Sequence, residues 1–471
     1  MENIKEKLNF EKFSKNVAIL SDGGEIVTYG DIDFFAKEIR NYIFDRSLIF
    51  CLCTNTIGSI LGYVSFLKNG IIPVLLDSTK DKDITRFLIE CYNPNYLWLP
   101  NEQANTYAGS TIFSKYGYSL LDVSERKNEI FDELALLLTT SGSTGSPKLV
   151  RLSYENIFSN AESIIDYLKI SQDERPILLL PMFYSFGLSI INTHLLKGAT
   201  ILITNKSITQ KEFWKFVKEQ GATSLSSVPY TYDILKRLNF PFLNLPKMKT
   251  LTQAGGKMNY EMVKEYIRLC KHNDKCFYVM YGQTEATARM SYLPISDSEE
   301  KYKSVGIPIP GGEFKLIDEN GSYILNAEEE GELVYIGKNV SLGYANNYND
   351  LSKGNENNKH LYTGDIAKRD MDGYFYISGR KSRFLKILGN RINLDYLEQL
   401  LKEITFSCVC VGVDDKLTVF VTEIEKKTEI NAFLTKKIGL ASISFNVIEI
   451  ENIPLNTSGK VLYSELMKKI I

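Results

Sequence analysis

Several features that mark particular classes of protein are scarce or absent in this sequence. Only 3 of the 471 residues are histidine, and the 7 cysteines include no C-x-x-C pair. Neither a zinc centre nor a disulfide framework is therefore supported. Two C-x-C pairs, Cys51/Cys53 and Cys408/Cys410, lie in apolar, strand-like runs, which predicts buried free thiols. Free thiols indicate a reducing compartment, so we expect a cytoplasmic protein.

Excess charge and an uninterrupted apolar span are also missing. The formal net charge is -2, so nothing in the charge balance draws the chain to nucleic acid or to an anionic membrane. The N-terminal segment MENIKEKLNFEKFSKN is charged throughout, which predicts no signal peptide. The apolar stretch Ile177–Leu196 contains Pro181, which would interrupt a membrane-spanning helix early. We expect a buried strand followed by a buried helix there.

What the chain does contain is an alternation of strand-like and helix-like segments. Leu48–Cys53 has the pattern of a strand, Ile57–Lys68 that of a helix, and Ile71–Leu76 that of another buried strand. The same alternation recurs from Glu133 to Tyr281, which predicts parallel sheets covered by helices. A chain of this length is too long for one compact core, so we expect at least two domains.

The pattern changes in the second half of the chain. From Gly306 to Gly343, short strands and turns predict an antiparallel barrel or meander. Beyond Gly379 the strand-like and helical runs predict a small core of their own, and the charged run Arg380–Arg383 suits a linker. The expected α/β fold has an N-terminal domain over 1–379, which contains two parallel-type α/β sheet subdomains and a small β-barrel-like subdomain. A hinge at 380–383 connects it to a small mobile α+β C-terminal domain over 384–471.

The loop TTSGSTGSPK, Thr139–Lys148, is the first segment with chemistry attached to it. It follows a predicted strand, Glu133–Thr140, and precedes a helix that Ser153 can cap. Small hydroxylated residues allow the backbone to approach an anion, and Lys148 adds positive charge. The spacing is not that of a Walker A loop, and a flexible surface loop is the alternative. Its position between strand and helix favours phosphate binding. A second polar segment, Asn347–Lys359, is expected to be a mobile surface loop.

From this loop onward the chain resembles the adenylate-forming (AMP-binding) superfamily, which includes acyl-CoA synthetases, peptide-synthetase adenylation domains and luciferases. The loop is similar to the phosphate loop of that superfamily, and four further motifs follow in the family order. They are YGQTE at 281–285, YTGD at 362–365, the pattern beginning GR at Gly379 and ending RI at Ile392, and PLNTSGK at 454–460. Five motifs in order over nearly the whole chain argue against chance.

The resemblance implies a role for each motif. It implies ATP and Mg²⁺ as cofactors, with Glu285 as the metal ligand and with Lys460 and Thr284 acting beside it in catalysis. Lys386 and Gly389 would serve a second half-reaction, after the C-terminal domain has rotated. Ser382 stands at the usual hinge position, and Leu149 replaces the glycine that usually follows Pro-Lys. The residues implied for binding ATP or AMP are Thr140, Ser141, Gly142, Ser143, Thr144, Gly145, Lys148, Gly255, Gly256, Tyr281, Gly282, Gln283, Asp365 and Arg380.

The expected pocket for the acyl substrate is formed by Tyr184, Phe186, Gly187 and Met280. Amino-acid-activating members of the superfamily carry an aspartate in the context F-D-x-S, where this chain has Gly187. A buried ammonium group without a partner would cost several kcal/mol, so an ordinary α-amino acid is disfavoured. Arg289 could face a second carboxylate of the substrate, but an exposed surface arginine is the favoured interpretation.

These observations predict an acid–thiol ligase resembling acyl-CoA synthetases. It would convert a small carboxylic acid and ATP into acyl-AMP and pyrophosphate, then transfer the acyl group to coenzyme A or to the phosphopantetheine of a separate carrier protein. The alternative is an amino-acid-activating enzyme that loads a carrier protein or an amine acceptor. A non-catalytic nucleotide-binding protein is a third hypothesis. No nucleic acid and no membrane span are expected.

Overall fold

The computed structural model describes residues 7–79, 82–124, 129–139, 148–239, 244–387, 390–405, 407–436, 438, 440–456 and 461–470. Two large sheets, a smaller antiparallel sheet and a C-terminal α+β region make up the fold. No helix in these ranges is both long enough and apolar enough to cross a membrane.

The first large sheet has nine strands, with parallel pairing in its centre and antiparallel pairing at both edges. Crossover connections through helices explain the parallel centre, because a parallel partner cannot be reached by a tight turn. Its strands, in spatial order, are Ile307–Pro308, Ser291–Tyr292, Cys276–Tyr281, Thr250–Gln253, Ser224–Ser227, Pro176–Ile177, Ile201–Ile203, Val17–Ser21 and Ile26–Thr28.

The second large sheet has eight strands and the same mixed pairing. All six residues of its central strand Leu48–Cys53 are buried, as expected of a parallel strand covered on both faces. Its strands, in spatial order, are Gly343–Ala345, Leu149–Ser153, Leu134–Thr139, Ile72–Asp77, Leu48–Cys53, Tyr96–Pro100, Tyr118–Asp122 and Ser110–Lys115.

The third sheet is an antiparallel sheet of five strands, which confirms the change of pattern predicted after Gly306. Its strands are Tyr323–Ile324, Gly312–Ile317, Glu330–Gly337, His360–Arg369 and Phe375–Arg380. The C-terminal region contains a hairpin and a three-stranded sheet, with strands Phe384–Ile387, Asn390–Asn393, Cys408–Val413, Lys416–Val421 and Phe445–Glu449.

Helices connect and cover the strands. Ser153 caps one of them with a capping box completed by Asn156, as the sequence predicted for that serine. The α-helices are Tyr29–Ile39, Ile57–Asn69, Lys82–Tyr92, Tyr154–Leu168, Ser185–Leu196, Lys211–Glu219, Pro229–Arg237, Tyr260–His272, Leu394–Leu401, Lys427–Lys436 and Tyr463–Met467. Short 3-10 helices are formed by Glu11–Phe13, Asn101–Thr106, Thr284–Ala286, Ile295–Asp297, Tyr348–Ser352, Lys381–Arg383, Ile424–Lys426 and Ser442–Ser444.

One continuous core joins the two large sheets. Two helices in it, Ile57–Asn69 and Ser185–Leu196, are buried on nearly every side, as a helix enclosed by other elements must be. The second of these is the helix expected in the apolar stretch that could have suggested a membrane span. The cysteines of the two C-x-C sequences, Cys51/Cys53 and Cys408/Cys410, are buried free thiols, as predicted.

Two local predictions were wrong. The loop after Thr139 joins two antiparallel strands, Leu134–Thr139 and Leu149–Ser153, and not a strand and a helix. Leu149 therefore begins a strand and is fully buried. The segment Asn347–Lys359 is not simply a surface loop, because part of it forms a 3-10 helix in which Leu351 is fully buried.

Candidate active site

Three parallel strands of the nine-stranded sheet end side by side, and two of them lead directly into predicted site residues. Ser224–Ser227 and Thr250–Gln253 pair in register, and Thr250–Gln253 also pairs with Cys276–Tyr281. The Gly255–Gly256 turn follows the second strand, and the Gly282–Glu285 turn follows the third. Carboxyl ends of parallel strands meet at the edge where open α/β sheets bind ligands. The sheet therefore gathers distant parts of the sequence at one crevice.

The turn after Gln253 requires glycine. Gly255 has a φ of +83°, and a Cβ there would lie 2.5 Å from the hydroxyl oxygen of Tyr184. The Gln253 side-chain amide donates to the Gly256 carbonyl oxygen over 2.9 Å, which holds the turn closed. Because glycine has no side chain, the backbone of this turn lies directly against Tyr184, one of the residues predicted for the acyl pocket.

Asp365 is the centre of a hydrogen-bonded group formed from three motifs. Asp365 is 3% exposed. The Tyr281 hydroxyl donates to one carboxylate oxygen, and the Gln283 amide donates to the same oxygen over 3.0 Å. The Arg380 Nε atom lies 3.2 Å from the other oxygen. Four of the residues predicted to bind the nucleotide are therefore in contact.

The opposite charges of Asp365 and Arg380 each favour the charged form of the other group. Burial raises the pKa of Asp365, while the positive charge of Arg380 and the hydrogen bonds from Tyr281 and Gln283 oppose that rise. Burial lowers the pKa of Arg380, but the nearby charges, Asp365 first, outweigh it and leave the pKa raised. A carboxylate that already accepts these hydrogen bonds is held in one orientation toward the crevice edge.

A second group connects the YGQTE motif with the end of the predicted phosphate loop. The Tyr344 hydroxyl donates to a Glu285 carboxylate oxygen over 2.8 Å. The Lys148 ammonium lies 3.7 Å from the centroid of the Tyr344 ring. The Ser341 amide donates to the main-chain carbonyl of Glu285 over 2.8 Å, and Thr284 lies 3.3 Å from the Ser185 hydroxyl. The carboxylate and the lysine are thus both positioned through Tyr344.

Sequence reasoning missed Tyr344. It lies in the short strand Gly343–Ala345, which pairs with Leu149–Ser153, the strand that follows Lys148. The predicted antiparallel region ends at Gly343 and the predicted polar loop begins at Asn347, so Tyr344 lies in neither. The sequence signal that could identify it is a tyrosine directly after a glycine, between two strand-like runs.

Several predicted site residues lie outside the described residues. These are Lys460 and Gly389, together with six residues of the phosphate loop, namely Thr140, Ser141, Gly142, Ser143, Thr144 and Gly145. Lys386 is described and is exposed on the C-terminal hairpin, where its backbone amide donates to Asp414 over 2.8 Å.

The residues predicted for the acyl pocket lie in the first turn of the helix Ser185–Leu196, with Tyr184 directly before it, and at the end of the strand Cys276–Tyr281. Phe186 and Met280 are buried, and the Tyr167 hydroxyl donates to the Met280 sulfur over 2.9 Å. A narrow cavity beside them has room for roughly one water molecule. Its lining comprises Leu136, Ile157, Asn160, Ala161, Ser185, Leu188, Ser189, Asn192, Thr287 and Ala288.

Gly187 has no space for a side chain. A Cβ placed there would overlap the carbonyl oxygen of Pro181 and lie 2.7 Å from that of Leu180. Because both atoms belong to the backbone, neither can swing away as a flexible side chain would. With this backbone, an aspartate at position 187 would not fit, so no ammonium partner of the amino-acid-activating kind can stand there.

Arg289 is not the surface arginine that the sequence analysis favoured. It is 3% exposed, and its guanidinium carbon lies 3.7 Å from the centroid of the Phe186 ring. The predicted exposure was wrong because the turn after Glu285 leads the chain inward, where Asn160 and Asn339 side chains hold the Arg289 backbone.

The hinge predicted at 380–383 lies where the five-stranded sheet meets the C-terminal region. The Arg380 backbone amide donates to Asp395 over 3.0 Å. Arg383 pairs with Asp395 and with Glu398, each over 2.5 Å. Arg383 is therefore attached to the helix Leu394–Leu401 of the C-terminal region. Arg380 contacts both Asp365 of the five-stranded sheet and Asp395 of that helix.

Comparisons with known proteins agree with this architecture. A family model described as AMP-binding enzyme matches residues 101–345. The D-alanine–D-alanyl carrier protein ligase of Listeria monocytogenes is 27% identical over 441 residues, 85% of each chain. The oxalate–CoA ligase of Arabidopsis thaliana is 28% identical over 348 residues, 70% of this chain and 66% of that protein.

A solved structure extends the likeness to the whole fold. The o-succinylbenzoate CoA synthetase (MenE) from Bacillus subtilis, in complex with the acyl-adenylate intermediate OSB-AMP, aligns with a TM-score of 0.79 at 19% identity. The alignment covers 98% of this chain and 97% of that one. At 19% identity this structural likeness shows the fold alone. The family itself is shown by the family model, which matches more than half of the sequence. The chain belongs to the AMP-binding enzyme family, within the adenylate-forming superfamily that its motifs predicted.

Proposed function

We propose that this protein activates a carboxylic acid with ATP, forming acyl-AMP and pyrophosphate, and then transfers the acyl group to a thiol. The observation that supports the proposal most strongly is the crevice itself. Asp365 with its three partners and Glu285 with Tyr344 and Lys148 are brought together around the YGQTE motif, which follows a parallel strand of the nine-stranded sheet. The acceptor thiol belongs to coenzyme A or to the phosphopantetheine of a separate carrier protein.

The first step joins two anions. A carboxylate oxygen attacks the α-phosphate of ATP, the bond to that phosphorus forms, and pyrophosphate leaves with the electrons of the broken P–O bond. Unit charges 4 Å apart repel by about 4 kcal/mol at an effective dielectric of about 20. The site must therefore supply fixed positive charge and positioning. Lys148 and Lys460 supply the charge in this proposal, and Thr284 donates a hydrogen bond to the α-phosphate.

The nucleotide is proposed to lie across the carboxyl edge. The bare backbone of Gly255 and Gly256 accommodates the flat adenine ring, and Tyr281 flanks it. Asp365 accepts hydrogen bonds from the ribose hydroxyls, and Arg380 orients that carboxylate. Gly282 and Gln283, together with the phosphate loop 140–145, complete the binding surface.

Glu285 suits a magnesium ion bound jointly by protein and phosphates. Mg²⁺ is usually held by one or two carboxylates together with substrate phosphates, and it keeps several waters. Within the described ranges, no group of three or more acidic, histidine or cysteine side chains could hold a metal by itself. The single half-buried carboxylate of Glu285, fixed by Tyr344, fits the shared arrangement. Bound Mg²⁺ would neutralise phosphate charge there.

For the second step we propose that the domain over 384–471 rotates about the hinge 380–383 relative to the domain over 1–379. Rotation would withdraw Lys460 and bring Lys386 and Gly389 to the crevice. The thiol then attacks the acyl carbon, the bond to AMP breaks, and AMP leaves. All seven cysteines are free thiols, which fits our further proposal that the enzyme works in the reducing cytoplasm.

An amino-acid-activating ligase is the second candidate function. The similarity to the D-alanine–D-alanyl carrier protein ligase favours it, whereas the closed space at Gly187 argues against an ordinary α-amino acid. The two candidates differ in whether the substrate carries an ammonium group beside the reacting carboxylate.

ATP–pyrophosphate exchange tests both candidates. We expect exchange with at least one acid from a panel of simple and aromatic acids, and none with the proteinogenic amino acids or D-alanine. Glu285→Gln should lower the exchange rate by about 100-fold or more, since a transition-state contact is lost. Glu299→Gln, the same change at an exposed residue, is the matched control. Exchange with amino acids alone would support the second candidate, and none with any substrate would contradict both.

A further inference from the structure

Arg289 follows the turn that carries Thr284 and Glu285, and its backbone is held at three points. Its amide donates to the Asn160 side chain over 3.3 Å, and its carbonyl accepts from Asn160 and from Asn339, each over 2.9 Å. The Cα atom of Arg289 is therefore fixed relative to the proposed reacting centre. The direction of its side chain is set by Phe186, whose ring lies under the guanidinium.

The guanidinium of Arg289 is buried without an anionic partner. In the part of the chain that the structure describes, no carboxylate lies within 4.0 Å of it, and its Nε atom has no hydrogen-bond partner. Nη1 donates to the carbonyl of the preceding residue, Ala288, over 3.3 Å. The Tyr167 hydroxyl is close enough to hydrogen-bond the guanidinium, and the Tyr184 hydroxyl is a further polar neighbour, but both are neutral. Arginine stays charged when buried, so this arrangement is unfavourable unless a ligand supplies the missing negative charge.

A buried arginine with a structural role looks different in this protein. Arg151 is fully buried, and it donates to the backbone carbonyls of Leu342, Tyr344 and Gly354, each over 3.1 Å. It also pairs with the Glu356 carboxylate over 2.6 Å. Arg46, whose Nε also lacks a partner, places both terminal nitrogens on carbonyls of other segments. Arg289 makes no comparable set of contacts within the described ranges.

Arg289 lies among the residues predicted for the acyl pocket. It contacts Phe186, and Tyr167 lies near both Met280 and the guanidinium. Tyr184, its other polar neighbour, borders the Gly255 turn. An acid whose reacting carboxylate lies at Thr284 would extend its other end toward Phe186. A guanidinium there can bind a carboxylate through two parallel N–H···O bonds.

We propose that Arg289 binds a second carboxylate of the substrate, so that the acid activated is a dicarboxylic acid. The inference rests on the proposed function, because it concerns the far end of the same substrate. The Phe186 ring packs against the guanidinium, and the second carboxylate supplies the anionic partner that Arg289 lacks within the described residues.

Matched acid pairs test this inference through ATP–pyrophosphate exchange. Butyrate is compared with succinate, pentanoate with glutarate, and benzoate with isophthalate, so each pair differs by one carboxylate. For the wild-type enzyme we expect a higher kcat/KM for the dicarboxylic member of at least one pair. Arg289→Met should lower that kcat/KM by about 100-fold or more, and it should affect the monocarboxylic partner far less.

Two variants control for structural effects. Arg289→Lys keeps the charge and should retain part of the preference for the dicarboxylic acid. The part of kcat/KM that is lost should come mainly from a raised KM. Arg268→Met makes the same chemical change at an exposed arginine and should leave the preference unchanged. Thermal unfolding shows whether each variant folds. If Arg289→Met does not fold, the wild-type pairs and Arg289→Lys still decide the question.

The outcomes separate the two proposals. Exchange that favours the monocarboxylic member of every pair, or equal loss of both members in Arg289→Met, overturns the role of Arg289 and leaves acid activation intact. Absence of exchange with every acid tested contradicts the proposed function itself. A preference for a dicarboxylic acid that Arg289→Met abolishes supports the inference.

Discussion

At the scale of single residues, Tyr344 makes two contacts with different parts of its side chain. Its hydroxyl donates to Glu285, and its ring lies under the Lys148 ammonium. Burial raises the pKa of Tyr344, and the negative charge of Glu285 raises it further, so the phenol stays protonated and remains a donor. One side chain thereby orients the proposed metal ligand and the proposed phosphate-binding lysine together.

Tyr344→Phe should therefore impair the chemistry more than the fold. It removes the hydrogen bond to Glu285 and keeps the ring that Lys148 contacts. A hydrogen bond to a charged group contributes about 1.5–3 kcal/mol, so kcat/KM for ATP in the exchange reaction should fall about 10- to 100-fold. The apparent KM for Mg²⁺ should rise. Tyr323→Phe, at an exposed tyrosine, is the control, and an unchanged kcat/KM in Tyr344→Phe would contradict the role given to its hydroxyl.

His194 provides a prediction about stability and pH. It is buried in the helix Ser185–Leu196, and desolvation lowers its pKa to about 4, although its hydrogen bond to the Ile190 carbonyl opposes the shift. An unfolded chain has a histidine pKa near 6.5. Between about pH 6.5 and pH 4 the unfolded state binds a proton that the folded state does not. The stability contribution is complete above pH 6.5 and is lost as pH falls through this window.

Urea unfolding at pH 7 and pH 5 measures this effect. Going from pH 7 to pH 5, the wild type should lose about 2 kcal/mol more unfolding free energy than His194→Asn, which cannot titrate. His272→Asn, at an exposed histidine in another helix, is the matched control and should follow the wild type. Equal losses for wild type and His194→Asn would show that His194 does not account for the pH dependence.

At the scale of elements, Arg151 joins three segments that are distant in sequence. It lies in the strand Leu149–Ser153 and contacts the strand Gly343–Ala345 and the segment that ends at Glu356. These contacts explain why Asn347–Lys359 is partly packed and not the mobile loop its polar composition suggested. They also hold the strand that carries Tyr344.

Arg151→Met should destabilise the protein by about 2–4 kcal/mol, because several buried carbonyl groups lose their donor at once. Chemical denaturation measures the loss. Exchange activity should also fall, because the strand with Tyr344 loses its support. Arg86→Met, at an exposed arginine that pairs only with Asp83 among the contacts described, should stay within about 0.5 kcal/mol of the wild type. A similar small change for Arg151→Met would refute the joining role.

At the scale of the whole molecule, polar contacts connect the two proposed domains in the part of the junction that the structure describes. Asp395 contacts the Arg380 backbone on one side and Arg383 on the other, and the Asn393 amide donates to the Ser378 carbonyl over 2.9 Å. A rotation between the steps would exchange these bonds for others. Polar contacts of this kind are compatible with domain motion.

Lys460→Ala tests the proposed division of labour between the steps. It should abolish acyl-AMP formation, because a positive charge at the attacking carboxylate is lost. It should spare thioester formation from supplied acyl-adenylate, because Lys460 is withdrawn in that step. Lys468→Ala, in the same C-terminal segment, is the control. Rapid-quench assays of each half-reaction give the answer, and equal loss of both steps would oppose the rotation.

The amino-acid sequence was enough to predict the family, the α/β class and most of the strands and helices near the site. Short motifs such as YGQTE and YTGD carry that information because backbone turns and charged groups must occur at set spacings to meet a nucleotide. The change to an antiparallel sheet after Gly306 was equally visible, since short strands and turns alternate there.

Which side chains contact one another became apparent from the folded chain alone. The contact of Tyr344 with Glu285 and Lys148 joins three separate segments, and no local pattern records it. The burial of Arg289 depends on how the turn after Glu285 packs against the helix that carries Phe186. Hydrophobic periodicity and motif spacing are properties of neighbours along the chain, whereas burial and charge pairing depend on neighbours in space, and these are set only when the sheets and helices assemble.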